Sequence, residues 1–213
     1  MVCLCVGAPW QAHAVDDFSA AETQLFMQDH LRPLKLPSRI HYQFHKSGSL
    51  EPGFDDRVQL GVKAKPQGQC CHTDVQFFSK ERRLQLPEPE EAKGNPVILY
   101  FLERDIRDMQ RLTHGQSNYF RTRIRKALYQ TAQERQVRLQ YKGRWVNAQE
   151  FEIAPFVDDP LRNRFAQLAD KHYSFTLSDA VPGGLVAIRS WVPVASNASA
   201  VWQEQLLLEG ASL

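Results

Sequence analysis

Ile40-His41-Tyr42-Gln43-Phe44-His45 alternates apolar and polar side chains, and the fold turns on reading this stretch as a strand. Successive side chains of a strand point to opposite faces. Ile40, Tyr42 and Phe44 would then line a buried face, and His41, Gln43 and His45 a polar one. Upstream, residues 18–31 read as a helix that Ser19 can cap, with Leu25, Phe26 and Met27 as apolar contacts, until Pro33 and Pro37 break it. Downstream, Ser47-Gly48-Ser49 and Pro52-Gly53 mark loops. A second alternation follows, Val58, Leu60, Val62 and Ala64 against Arg57, Gln59, Gly61, Lys63 and Lys65. Pro66-Gln67-Gly68 then turns the chain into a third strand over residues 70–78, with Cys71, Thr73, Val75 and Phe77 on one face. Residues 82–86 are expected as a fourth. Consecutive short strands joined by turns specify an antiparallel sheet.

The period then changes. After a Pro/Glu-rich loop over 87–94, Asn95 can cap a helix with Pro96 at its first position, running to Thr113 with Gly115 as C-terminal cap. Its start, Val97 to Leu102, is apolar on all sides, as in a helix buried on several faces. Ser117 can cap a second helix to Arg135, with Phe120, Ile124 and Leu128 as its apolar stripe. Arg104, Arg107, Arg111, Arg121, Arg123, Arg125 and Lys126 give the pair a basic surface that anionic headgroups or an acidic partner could meet. Glu103, Asp105 and Asp108 lie among them, so pairing at three- and four-residue spacing is the simpler reading.

The last third returns to strands. Residues 137–141 alternate, Lys142-Gly143 turns the chain, and 144–154 completes a hairpin. Asp159-Pro160 opens a short helix with Leu161, Phe165 and Leu168. Strands follow at 173–177 and 185–192, separated by a turn over 178–184. The fold class is therefore α+β: a curved antiparallel sheet, an incomplete barrel, packed on a helical insertion. The expected organisation is a signal segment at 1–14, one domain at 15–194 and a C-terminal tail at 195–213.

The chain of 213 residues is 43% hydrophobic with a net charge of +2, enough for one core and without the basic excess of a nucleic-acid binder. Met1 to Trp10 is mostly apolar and uncharged, Ala12-His13-Ala14 supplies small residues, and a polar chain begins at Val15-Asp16-Asp17. This is the order of a secretory signal, although its positively charged start is missing. Export to the periplasm is the expectation. No other apolar run reaches the ~20 residues that span a bilayer. Cys3 and Cys5 would leave with the signal. Cys70 and Cys71 are adjacent and form no conventional disulfide framework.

Three constellations carry candidate chemistry. On a strand, Cys70, His72 and Asp74 share a face and, with His41 and His45 on a neighbouring strand, could hold zinc or copper; an exposed Cys70 could instead pair with another thiol. Ser178 and Asp179 with His172 could suggest a hydrolase, but no G-x-S-x-G surrounds Ser178 and its setting is that of a turn. An apolar pocket between sheet and helix would be lined by Tyr42, Phe44, Val75, Phe77, Phe101 and Trp191.

The order of signal, strands, helical insertion and returning strands across residues 36–193 resembles the periplasmic lipoprotein carriers and their outer-membrane receptors, the LolA/LolB-like half-barrel. The stretch Tyr173-Ser174-Phe175-Thr176-Leu177-Ser178-Asp179-Ala180-Val181-Pro182-Gly183-Gly184 also looks like uncharacterised exported bacterial proteins. The first resemblance implies a helix-lidded incomplete barrel that binds acyl chains. The expected function is a non-enzymatic envelope protein that takes a hydrophobic small molecule, a lipid or an envelope protein in its half-barrel, without a cofactor. The alternatives are a metal- or thiol-dependent periplasmic protein using Cys70, His72 and Asp74, and an interaction module without a ligand.

Overall fold

The computed structural model describes residues 18–66, 70–87, 93–194 and 199–213. The signal segment expected at 1–14 lies outside them. Among the described residues nine strands form one antiparallel sheet: β1 (Ser38–Ser47), β2 (Phe54–Lys63), β3 (His72–Phe77), β4 (Gln133–Tyr141), β5 (Arg144–Ile153), β6 (His172–Leu177), β7 (Leu185–Trp191), β8 (Gln203–Leu208) and β9 (Ala211–Ser212). Their order is β3-β2-β1-β8-β7-β6-β5-β4-β9. The α+β class with a curved antiparallel sheet is therefore the observed architecture. The curl is visible in connectivity: β9 follows β8 through a tight turn, yet pairs with β4 at the far end of the order, Tyr141 opposite Ala211. Two helices, α2 (Val97–Thr113) and α3 (Ser117–Gln130), lie on one face, preceded by a short segment that begins as α1 (Ala20–Glu22) and continues as a π-helical turn, Thr23–Met27.

The alternation that specified β1 to β3 is realised in their burial. Ile40, Tyr42 and Phe44 are buried on β1, Val58, Leu60 and Val62 on β2, and Thr73, Val75 and Phe77 on β3. The register sets Tyr42 opposite Val58, and Leu60 opposite Val75. α2 seats Val97, Ile98, Phe101 and Met109 in the core. Full burial of such side chains stabilises by roughly 1.5–3 kcal/mol each. A second aromatic cluster fastens α3, with Phe120 and Phe165 centred 5.6 Å apart and Phe156 and Phe165 5.5 Å apart. Lys142 (φ 48°) and Gly143 (φ 76°) form the expected tight turn between β4 and β5.

The structure corrects several sequence expectations. Residues 82–86 form no strand: Phe78 and Lys80 take positive φ, a 3₁₀ turn follows, and only Leu84 bridges back to Phe77. The helix expected over 18–31 stops at Met27. α3 ends at Gln130 rather than Arg135, because Gln133 to Arg135 pair with Glu152 to Glu150 and Arg135 binds Glu150. The left-handed residue after α2 is His114, not Gly115. The short helix after Asp159 is two 3₁₀ turns. The largest correction concerns the segment 195–213 read as a tail. It contains β8, which pairs with β1 on one side and β7 on the other, so the domain runs on past residue 194.

Candidate functional site: an apolar groove between the helical segments

Most of the pocket expected from the sequence is filled. Tyr42, Phe44, Phe77 and Phe101 are at most 1% exposed and Val75 9%. Phe44 packs against Phe78 at 4.6 Å between ring centroids and against Phe101 at 6.5 Å. Trp191 is on the opposite face of the sheet, stacked on His172 at 5.3 Å. Tyr42, Phe44, Val75, Phe77 and Phe101 belong to the core between the sheet and α2.

The apolar opening lies instead on the other side of α2. Here α1 and its π turn, α2 and α3 enclose a groove of about 730 Å3. Leu99, Leu102 and Ile106 supply the wall from α2, Ile124 and Leu128 the wall from α3, and Phe26 with Met27 the third side. Leu99 to Ile106 is a stripe at helical spacing, so one face of α2 meets the groove while Phe101 and Met109 meet the sheet. Three of the largest exposed apolar side chains, Phe18 (42%), Met27 (40%) and Leu99 (47%), line this one opening.

Local chemistry fixes its walls. Ser19 and Glu22 form a reciprocal capping box, and the Ser19 hydroxyl also donates to the Leu128 carbonyl at 2.9 Å, tying the first segment to α3. Asn95 holds the start of α2: its side-chain oxygen accepts from the Val97 N–H at 3.1 Å, while its amide donates to Tyr42 Oη at 2.9 Å and to the Gly183 carbonyl at 2.8 Å. The rim is charged. Arg121 grips Glu103 with contacts of 2.8 and 2.9 Å, Arg107 approaches the same carboxylate at 3.5 Å, and Arg125 lies 3.8 Å from Glu22. Three guanidinium groups thus face two carboxylates. Pairing at four-residue spacing accounts for Arg107 with Glu103, whereas Arg121 and Arg125 meet carboxylates of other helical segments, and a positive excess remains.

Arg104 pairs with Asp108 at four-residue spacing but also reaches a partner far away in the chain. It turns into the core, donates to Glu204 on β8 and to Asp108, and lies 5.0 Å from the Phe44 ring centroid. Beside it Lys171 binds Asp105 with both side chains fully buried, and the Tyr173 hydroxyl donates to Asp105 at 2.6 Å. Burial works against the charge of Glu204, but Arg104, Lys171 and Lys46 together hold it below the usual carboxylate range. Burial pushes Asp105 above that range, against the pull of Lys171. No sequence signal separates these buried ions from the solvated charges around them.

The other constellations do not assemble. The Cys70 and Cys71 sulfurs are joined to each other, and among the described residues no three His, Cys, Asp or Glu side chains are placed to hold a metal. β2 separates β3 from β1, so His41 and His45 are not beside His72 and Asp74, and His45 binds Asp55 at 2.7 Å. His172 opens β6 and binds Glu152 at 2.9 Å, whereas Ser178 follows the strand's other end and donates to the Asn147 carbonyl at 2.6 Å. A strand of that length holds them ~20 Å apart, so no triad forms. Among the described residues no helix is long and apolar enough to cross a membrane. Neither a protein-family model nor a curated protein sequence matches this chain.

Proposed function

We propose that this protein is a non-enzymatic cell-envelope protein that binds an acyl chain with an anionic head in the groove between α1, α2 and α3. The observation that carries the reading is the groove itself. It has the volume of a small-molecule site, for which ~300–1,000 Å3 is usual. Its walls are apolar, and its rim sets Arg107, Arg121 and Arg125 against only Glu22 and Glu103. The chain would lie along Leu99, Leu102 and Ile106, and the head would compete with Glu103 for Arg121 or take the less tightly paired Arg107. The likeness of element order to the lipoprotein carriers supports an acyl ligand, with the site moved from the sheet to the helical face. Export is part of the proposal. The signal-like order of residues 1–14 supports it.

The test is titration of the full chain with dansyl-aminoundecanoate, an acyl chain carrying a fluorophore and a carboxylate. Saturable binding with a blue shift in emission is expected, displaced by oleate and lost in Leu99→Glu, which buries a carboxylate against the chain. Arg107→Ala together with Arg121→Ala is expected to weaken the carboxylate ligand more than its methyl ester. Equal binding by wild type and Leu99→Glu would overturn the site.

A further inference from the structure

A second cavity, of about 550 Å3, opens beside the β4–β5 hairpin on the side of the sheet that carries the helices. The register fixes that side. Phe151 pairs with Phe175 in the core, and Gln149, Asn147 and Trp145 follow it along β5 at two-residue steps. Opposite them on β4 stand Gln136 against Gln149 and Arg138 against Asn147. The core face of the hairpin therefore turns polar where the helices no longer cover it. The facing wall is the turn after β6, held by the Ser178 N–H donating to the Gly184 carbonyl at 2.8 Å. It contributes Asp179, with His30 behind it.

The lining is distinctive in type. Trp145 is 60% exposed, the most exposed large apolar side chain among the described residues. The Arg138 guanidinium lies 5.6 Å from its ring centroid, and the indole lines the cavity. The side-chain amides of Gln136 and Asn147 make no hydrogen bond to another described residue. Gln149 donates to Glu134 at 2.5 Å, which leaves its carbonyl oxygen free to accept. Among the described residues Asp179 accepts a hydrogen bond from Gln28 at 3.2 Å. His30 accepts from the Asn95 N–H through Nδ1 at 3.1 Å, so its proton is on Nε2. An amide offers donors and an acceptor together, which matches a hydroxyl that does both. An indole offers a flat apolar face for the C–H side of a ring. Asp179 is the carboxylate of the lining; it accepts from hydroxyl donors and repels an anionic ligand.

We propose that this cavity binds a neutral saccharide, with one pyranose ring on the indole of Trp145 and its hydroxyls hydrogen-bonded to Gln136, Asn147, Gln149 and Asp179. The site is separate from the acyl groove, since the helical segment that puts Phe26 and Met27 into the groove puts Gln24 into this cavity. A ligand with both a sugar and an acyl part is not required by either reading.

The experiment is calorimetric titration of the full chain with glucose, maltose, cellobiose and chitobiose. At least one is expected to bind with a dissociation constant below ~10 mM. Trp145→Ala is expected to weaken that binding by ~10-fold or more and Trp145→Phe by much less, since an aromatic face is kept. Leu99→Glu, in the acyl groove, is expected to leave it unchanged, so that failure of one site is distinguishable from failure of the other. Absence of binding by all four sugars, or equal binding by wild type and Trp145→Ala, would overturn the proposal.

Discussion

Arg104 donates to Glu204 at 2.5 Å although 100 residues separate them in the chain. This pair joins the middle of α2 to β8, an interior strand of the sheet. The Lys46 ammonium on β1 lies 3.8 Å from the same carboxylate, and the Ser190 hydroxyl on β7 donates to its other oxygen at 2.9 Å. One fully buried side chain thus ties a helix to three strands.

Removing Glu204 leaves Arg104 with only Asp108 and strands Ser190, to which the Trp202 indole donates at 3.1 Å. Breaking a buried ion pair at one partner costs about 3–5 kcal/mol, because an uncompensated charge remains. Glu204→Ala is expected to lower the unfolding free energy in urea by that amount. In a double-mutant cycle with Arg104→Met, the two losses are expected to sum to more than the loss of the double variant. Additive losses would mean that the pair contributes nothing to seating α2.

His30 makes stability depend on pH near neutrality. Burial holds its pKa below the ordinary value of 6.5, outweighing the opposite pull of Asp179, and its Nδ1 is already occupied as an acceptor for the Asn95 N–H. The folded state therefore binds a proton less readily than the unfolded state. Its contribution is present above the unfolded pKa and is lost as pH falls through 6.5 toward the folded value. Thermal unfolding midpoints are expected to drop between pH 7.5 and 5.5 in wild type and to drop less in His30→Gln. A parallel fall in both proteins would place the pH dependence elsewhere.

Two glycines separate conformational strain from collision. Gly183 has φ +73°, and a Cβ there would lie 2.6 Å from Ile40 Cδ1 and 3.1 Å from Asn95 Nδ2. Gly143 has nearly the same φ, +76°, with nothing within 4 Å. The left-handed conformation alone costs an L-residue ~1–2 kcal/mol, and overpacking adds ~1–3 kcal/mol. Gly143→Ala is expected to show the first cost only. Gly183→Ala is expected to show both and to disturb the Asn95 bonds that hold the start of α2. Equal losses in urea titrations would mean that the turn yields around the added methyl.

What the sequence disclosed depended on whether a residue's role was local. β1, β2 and β3 were legible because their own alternation names their buried face, and β5 because the Lys142-Gly143 turn announces a hairpin. β8 was not, because Glu204, Leu206 and Leu208 share the core face and a carboxylate interrupts the apolar pattern. Its partners come from α2, β1 and β7, and no local rule counts them. Lys171 and Asp105 were hidden in the same way. The apolar run from Val97 to Leu102 did announce a helix buried on several sides, but not that Leu99 would be its exposed member. A groove made by three segments becomes visible only once their packing is known, so the expected pocket was placed on the filled side of the same helix.

The position of β8 gives the most direct test of the architecture. A chain ended at Val194 retains the alternating strands, the helices and all four residues of the Asn95–Tyr42–Gly183–Val97 contact. It loses Leu206 and Leu208 from the core and the only described carboxylate that both Arg104 and Lys46 share with Ser190. β1 and β7 would each present an unpaired edge, and exposed edges of this kind aggregate. No cooperative unfolding transition is expected for this chain by circular dichroism, and most of it is expected in the insoluble fraction. A chain ended at Glu209 keeps β8 and loses β9, which pairs Ala211 with Tyr141 and Ser212 with Gln140, together with the Gly210 carbonyl that accepts from the Lys142 N–H at 2.7 Å. It is expected to unfold cooperatively, a few degrees below the full chain, as a loss of about 1 kcal/mol shifts the midpoint. If the Val194 chain melted like the Glu209 chain, β8 would be an accessory to the sheet rather than an interior strand of it, and the Arg104–Glu204 pair would have no part in holding the helices on it.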